Sequence, residues 1–152
     1  MIGLTTHSST TRLTTDMDQT LYIIRGAAGS GKSTFVEDVL FPLHGTDLVH
    51  VEADQWWILQ DIEWDPKRLM EAHRWCRETV DECLSKGKHV AVANTFIRQW
   101  EIAPYREIAE RHGVRTHEII LCGERESVHG VPVDKILHMR NSIEPYQHLN
   151  NR

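Results

Sequence analysis

The chain has 152 residues, 26% of them charged and 40% hydrophobic, with a formal net charge of −5. That length favours one domain around one core, and the apolar content is that of an ordinary globule. The acidic balance, with no basic stripe, argues against a broad grip on duplex nucleic acid and leaves room only for a small site such as a strand end. No apolar run reaches the roughly 20 residues that span a bilayer, so no membrane partner is expected. Met1 to Gln19 is polar and rich in threonine and lacks the apolar stretch of a signal peptide. It reads as a flexible extension before a domain covering 20–152, in a cytoplasmic protein.

Leu21-Tyr22-Ile23-Ile24 is a short apolar run expected to form a buried strand. Gly26-Ala27-Ala28-Gly29-Ser30-Gly31-Lys32-Ser33-Thr34 follows and fits the phosphate-loop pattern of Gly, four residues, then Gly-Lys-Ser/Thr. Thr34 to Leu40 reads as a helix with Phe35, Val36, Val39 and Leu40 on one face, and Phe41 to Thr46 as a loop marked by Pro42 and Gly45. Leu48 to Val51 is a second strand, ending at Glu52-Ala53-Asp54. Trp56 to Leu59 follow as a short helix or turn. Asp65-Pro66 opens a helix to about Lys86, with Leu69, Ala72, Cys76, Val80, Cys83 and Leu84 in helical period. His89 to Ala93 is a third strand, with Asn94-Thr95 at its carboxyl end. Trp100 to Arg111 is a helix that Pro104 can divide in two. Thr116 to Leu121 is a fourth strand, Cys122 to Gly130 a loop, and Pro132 to Ile143 a last helix with Val133, Ile136, Leu137 and Ile143 facing the core.

Strands alternating with helices predict an α/β fold in three layers, a mostly parallel sheet with helices on both faces. In such sheets ligands sit at the carboxyl ends of strands. The phosphate loop, Asp54 and Asn94-Thr95 all fall there.

The loop carries specific chemistry. Its glycines let successive amides turn inward, the following helix contributes positive charge at its N-terminus, Lys32 meets the outer phosphates, and the Ser33 hydroxyl suits magnesium. Gly26, Ala28, Gly29, Ser30, Gly31, Lys32, Ser33 and Thr34 are therefore the expected nucleotide-binding residues, with Ser33 the metal ligand. Asp54 is the candidate base that accepts the proton of an acceptor hydroxyl, against the plainer role of a helix N-cap. Asn94, with Thr95, could hold the acceptor or merely close the strand, and Trp57 could stack on a base or simply fill the core. Arg125 could neutralise transferred charge from a lid over 123–130, and His129 could touch the acceptor; a solvated loop is the alternative for both. The three cysteines, Cys76, Cys83 and Cys122, suit a reducing compartment. His73, Cys76 and Cys83 share a helical face, but with Leu69 and Val80 beside them they read as core residues rather than metal ligands.

The glycine loop, Glu52-Ala53-Asp54, Ala93-Asn94-Thr95, Trp100-Glu101-Ile102-Ala103-Pro104-Tyr105 and His129-Gly130-Val131-Pro132 occur in an order that resembles a compact phosphate-loop kinase family. That family includes phage and bacterial 5′-hydroxyl polynucleotide kinases and the kinase-like domains of Nedd4-binding proteins. The resemblance covers most of Leu21 to Tyr146. It implies an adenylate-kinase-like fold, ATP with magnesium, and phosphoryl transfer to a nucleotide or a 5′-hydroxyl polynucleotide end, in the host cytoplasm for a phage-encoded chain. By the same resemblance Lys32 and Ser33 hold phosphates and metal, and Asp54 takes the place of the base. The chain departs from polynucleotide kinases in having Trp57 where they carry arginine, Asn94 where they carry aspartate, and a short lid. An ATP-binding module or slow ATPase is the alternative. A two-histidine phosphodiesterase is disfavoured because its paired His-x-Thr/Ser motifs are absent.

Overall fold

The computed structural model describes residues 18–124 and 130–146. Four strands form one parallel sheet: β1 (Thr20–Arg25), β2 (Leu48–Val51), β3 (His89–Asn94) and β4 (Arg115–Ile120), in the spatial order β2-β3-β1-β4. β1 runs beside β3 from Leu21 opposite Val90 to Arg25 opposite Asn94, and beside β4 from Thr20 opposite Arg115 to Arg25 opposite Ile120. The chain therefore leaves β1, β3 and β4 at one level, and the residues after Arg25, Asn94 and Ile120 become neighbours.

Alternation along the strands builds a core on each face. Leu21, Ile23, Val51, Val90 and Val92 meet Ala72, Cys76, Val80 and Leu84 of α3 (Leu69–Ser85) and Ile102, Tyr105 and Ile108 of α4 (Gln99–Arg111). On the opposite face Ile24, Leu48, Ala91 and Ala93 meet Val36 and Leu40 of α1. α1 joins three pieces, Lys32–Phe35, a π-helical turn Val36–Leu40, and Phe41–His44. α2 (Gln55–Gln60) follows β2, a 3-10 turn Pro66–Arg68 leads into α3, and α5 (Val133–Ser142) closes the described chain. The three-layer α/β arrangement is the one expected. The start of the long helix is also as read: the Asp65 carboxylate accepts from the Lys67 amide at 2.9 Å, with Pro66 in the first turn.

Several expectations need correction. Phe41 to Thr46 is not an open loop, because α1 continues through Pro42 to His44. The amide of Phe41 reaches back five residues to Val36 O, and this wider turn delivers Pro42 to the start of the next piece, where its missing N–H is tolerated. The changed register leaves Val36 and Leu40 buried and turns Val39 outward, 47% exposed. Pro104 does not divide α4, which runs unbroken with Pro104 inside it. The carbonyl left without its amide partner belongs to Trp100, an exposed residue at the start of the helix. Leu69 at the start of α3, and Val133 and Leu137 of α5, are exposed rather than core-facing; Ile136 alone of α5 is buried.

Candidate functional site

The loop from Gly26 to Gly31 connects β1 to α1 at the carboxyl edge of the sheet. Gly29 (φ 76°) and Gly31 (φ 95°) take left-handed values open to glycine, and these curl the backbone so that amides point inward. Gly26 is required for a different reason. A Cβ there would lie 2.2 Å from Ser30 Oγ and 2.8 Å from Leu121 O. The loop is also clamped from both sides: the Gly26 amide donates to Thr95 O after β3 at 3.3 Å, and the Gly123 amide after β4 donates to Ser30 O at 3.2 Å. The first amides of α1 lack intrahelical acceptors and lie at the positive end of its dipole. The result is a preformed cradle for an anion.

Lys32 Nζ donates to the carbonyls of Gly26 at 2.8 Å and Ala27 at 2.9 Å, folded over the loop it follows. Burial lowers the affinity of its ammonium for a proton, while the negative charges of Glu52 and Asp54 oppose that. Both carboxylates thus favour the charged form of the lysine. Ser33 Oγ donates to Glu52 Oε1 at 2.7 Å, and His50 Nε2 lies 2.9 Å from the same oxygen. Burial pushes the Glu52 carboxyl up, but its bonds with His50 and Ser33 and the charge of Lys32 outweigh it and hold the group below the usual carboxylate range. A hydroxyl and a carboxylate beside an anion cradle are hard oxygen donors, and they fit magnesium.

The turn that carries these carboxylates is pinned. The Glu52 amide donates to Gln55 Oε1 at 3.1 Å, and the Ala53 amide to Asn94 Oδ1 at 2.9 Å. Asn94 Nδ2 points at Cys76 Sγ, 3.6 Å away. Both ends of the Asn94 carboxamide are engaged with the protein, and through it β3 fixes the end of β2. Asp54 stands exposed at the N-terminal boundary of α2 without capping that helix through its side chain.

The expected residues Gly26, Ala28, Gly29, Ser30, Gly31, Lys32, Ser33 and Thr34 lie in the loop and the first turn of α1, and Asp54, Asn94 and Thr95 border them. Trp57 is 6% exposed within the core, its ring edge-on to Trp56 at 4.8 Å. Arg125 and His129 lie outside the described residues. Sequence reasoning missed Glu52. Its signal was its place two residues before Asp54, hence beside it at the same strand end. It missed Arg25 as well. This side chain is wholly buried, donating to Phe96 O at 2.9 Å, Glu118 Oε1 at 2.7 Å and Glu144 O at 2.7 Å.

The family model AAA_33, described as an AAA domain, matches residues 21–130. Human NEDD4-binding protein 2 is 28% identical over 141 residues, which make up 84% of this chain and 8% of that protein. The chain thus spans less than a tenth of this relative's length. Among solved structures, a chain of the Pnkp1/Rnl/Hen1 complex superposes with a TM-score of 0.59 at 18% identity, covering 89% of this chain and 43% of that one. The Mycobacterium tuberculosis APS kinase, solved with AMPPNP and APS, gives 0.52 at 15% identity, covering 88% of this chain and 85% of its own. At such identities the structural likeness establishes the fold, which is that of P-loop kinases.

Proposed function

From a chain that belongs to the AAA_33 family of AAA domains and has a P-loop kinase fold, we propose an ATP-dependent phosphotransferase that delivers the γ-phosphate to a nucleotide or to a 5′-hydroxyl polynucleotide end. One observation carries this reading. Ser33 of the glycine cradle donates to Glu52 Oε1 at 2.7 Å, which sets the cradle and Lys32 beside the turn after β2 that also carries Asp54. The loop amides and Lys32 bind the triphosphate; to do so Lys32 exchanges the carbonyls of Gly26 and Ala27 for phosphate oxygens. Ser33 would hold magnesium, which when bound offsets charge on the outer phosphates. Asp54 accepts the proton of the attacking hydroxyl. The new bond joins the acceptor oxygen to the γ-phosphorus, the bond to the β-phosphate oxygen breaks, and ADP leaves. Thr95 and the chain after β3 border the acceptor side. A charge-neutralising part for Arg125 and an acceptor contact for His129 belong to the same proposal.

The test is transfer from γ-labelled ATP to a panel of nucleosides, nucleotides and 5′-hydroxyl DNA and RNA. Label in one acceptor class supports the kinase and names its substrate. Label released only as free phosphate identifies an ATPase. Asp54→Asn should cut transfer by roughly 10²- to 10⁴-fold while ATP affinity is kept. Lys32→Ala should abolish the signal.

A further inference from the structure

P-loop enzymes commonly hold magnesium between the loop Ser/Thr and an aspartate at the end of an inner strand. Here the strand beside the loop, β3, ends in Ala93 and Asn94 and offers no carboxylate. Asn94 is further committed to the Ala53 amide and Cys76. The carboxylate that meets the loop serine arrives instead from the outer strand: Glu52, immediately after β2, accepts from Ser33 Oγ at 2.7 Å. Resting on the nucleotide-binding reading above, we infer that Glu52 is the carboxylate that holds the divalent cation of the bound nucleotide, a role moved from β3 to β2.

The surroundings of Glu52 are built for that task. A serine hydroxyl that donates its proton to a carboxylate turns its lone pairs outward, where a cation can take them. His50 Nε2 lies 2.9 Å from Glu52 Oε1 on the same turn. The main chain on either side of Glu52 is tied down by Gln55 Oε1 and Asn94 Oδ1, and Gln55 Nε2 donates in turn to His50 O at 3.3 Å. A carboxylate held on a preorganised turn can position a metal; one on a loose loop cannot. The β3 carboxamide and the β2 carboxylate thus divide the work. Asn94 sets the geometry and Glu52 supplies the charge.

The experiment measures AMPPNP affinity by calorimetry in EDTA and in saturating magnesium, and manganese binding to the protein–AMPPNP complex by electron paramagnetic resonance. Both are done on the full chain and its Glu52→Gln, Glu52→Asp and Lys32→Ala variants. Glu52→Gln is expected to weaken manganese binding roughly 10- to 100-fold. Its AMPPNP affinity in EDTA should be unchanged or tighter, because a negative charge facing the triphosphate is gone. Glu52→Asp, which keeps the charge, should retain more manganese affinity than Glu52→Gln. Equal loss of AMPPNP affinity with and without metal would make Glu52 part of the loop scaffold and overturn the inference, as would manganese binding unchanged by Glu52→Gln or lowered equally in both Glu52 variants. Failure of the nucleotide reading looks different: the unmodified chain would leave AMPPNP unbound, or would bind it no more tightly than Lys32→Ala does.

Discussion

Phe96 stands just past β3 with φ at 44°, a left-handed value costly for a bulky side chain by roughly 1–3 kcal/mol. Its surroundings enforce it. The ring is buried edge-on to Tyr105, centroids 5.3 Å apart, while Arg25 Nε takes the Phe96 carbonyl and the Gly26 amide takes that of Thr95. The strained residue thus anchors the segment that clamps the phosphate loop. Phe96→Ala is expected to cost about 3–5 kcal/mol through loss of the ring. Phe96→Gly removes still more side chain but should be about 1 kcal/mol more stable than Phe96→Ala, since glycine accepts the backbone without strain. Urea unfolding of the pair decides it, and a glycine variant weaker than the alanine one would refute the strain account. Gly26→Ala tests the loop from the other side. The added methyl meets Ser30 Oγ and the Leu121 carbonyl. The overpacking should cost about 1–3 kcal/mol and weaken AMPPNP binding, read by urea unfolding and calorimetry.

At the scale of elements, the far end of α1 docks through titratable groups. His44 Nε2 and Tyr22 OH are hydrogen-bonded at 2.7 Å, His44 stacks on His89 with centroids 4.1 Å apart, and Tyr22 stacks on His117. Burial lowers the proton affinity of His44, the neighbouring His89 lowers it further, and Asp47, itself engaged by Lys88, works in the opposite sense. The folded protein therefore favours neutral His44. Its contribution is complete above the ordinary histidine value of about 6.5 and is lost as pH falls below it. Thermal unfolding should show lower stability at about pH 5.5 than at about pH 7.5, and His44→Gln should narrow the gap by removing one titrating group. An unchanged gap would assign the acid sensitivity elsewhere. This docking also explains why the segment was misread. Pro42 and Gly45 carry the composition of a loop, and only the π turn before them, set by packing of Val36 and Leu40 against the sheet, lets the helix pass the proline. The strands were legible because each is a compact apolar run, and the phosphate loop because its spacing is dictated by a ligand. Glu52 and Arg25 were not, because their meaning lies in contacts across the sheet. Local pattern treats a charged residue at a strand end as solvated, whereas Arg25 is enclosed by the chain after β3, by β4 and by Glu144.

For the whole molecule, the decisive fact is that no single element contains the site. The loop follows β1, its clamps come from the chain after β3 and β4, and the carboxylates follow β2. A cradle assembled from every strand exists only in the folded protein, so whatever binds it must stabilise the entire fold. For one site with no affinity for the unfolded chain, magnesium and AMPPNP at about 100 times their dissociation constant should add about 2.7 kcal/mol. For a domain of this length that corresponds to a rise in Tm of about 5–10 °C. Lys32→Ala should lose most of the rise, since the loop then lacks its mobile charge. Asp54→Asn should keep it, because a base that acts on the acceptor contributes nothing to holding the triphosphate. Differential scanning fluorimetry of the three proteins, with and without ligand, separates the two roles. A shift of equal size in Lys32→Ala would locate the nucleotide away from the glycine loop, and a shift abolished in Asp54→Asn would make Asp54 a binding residue rather than the base.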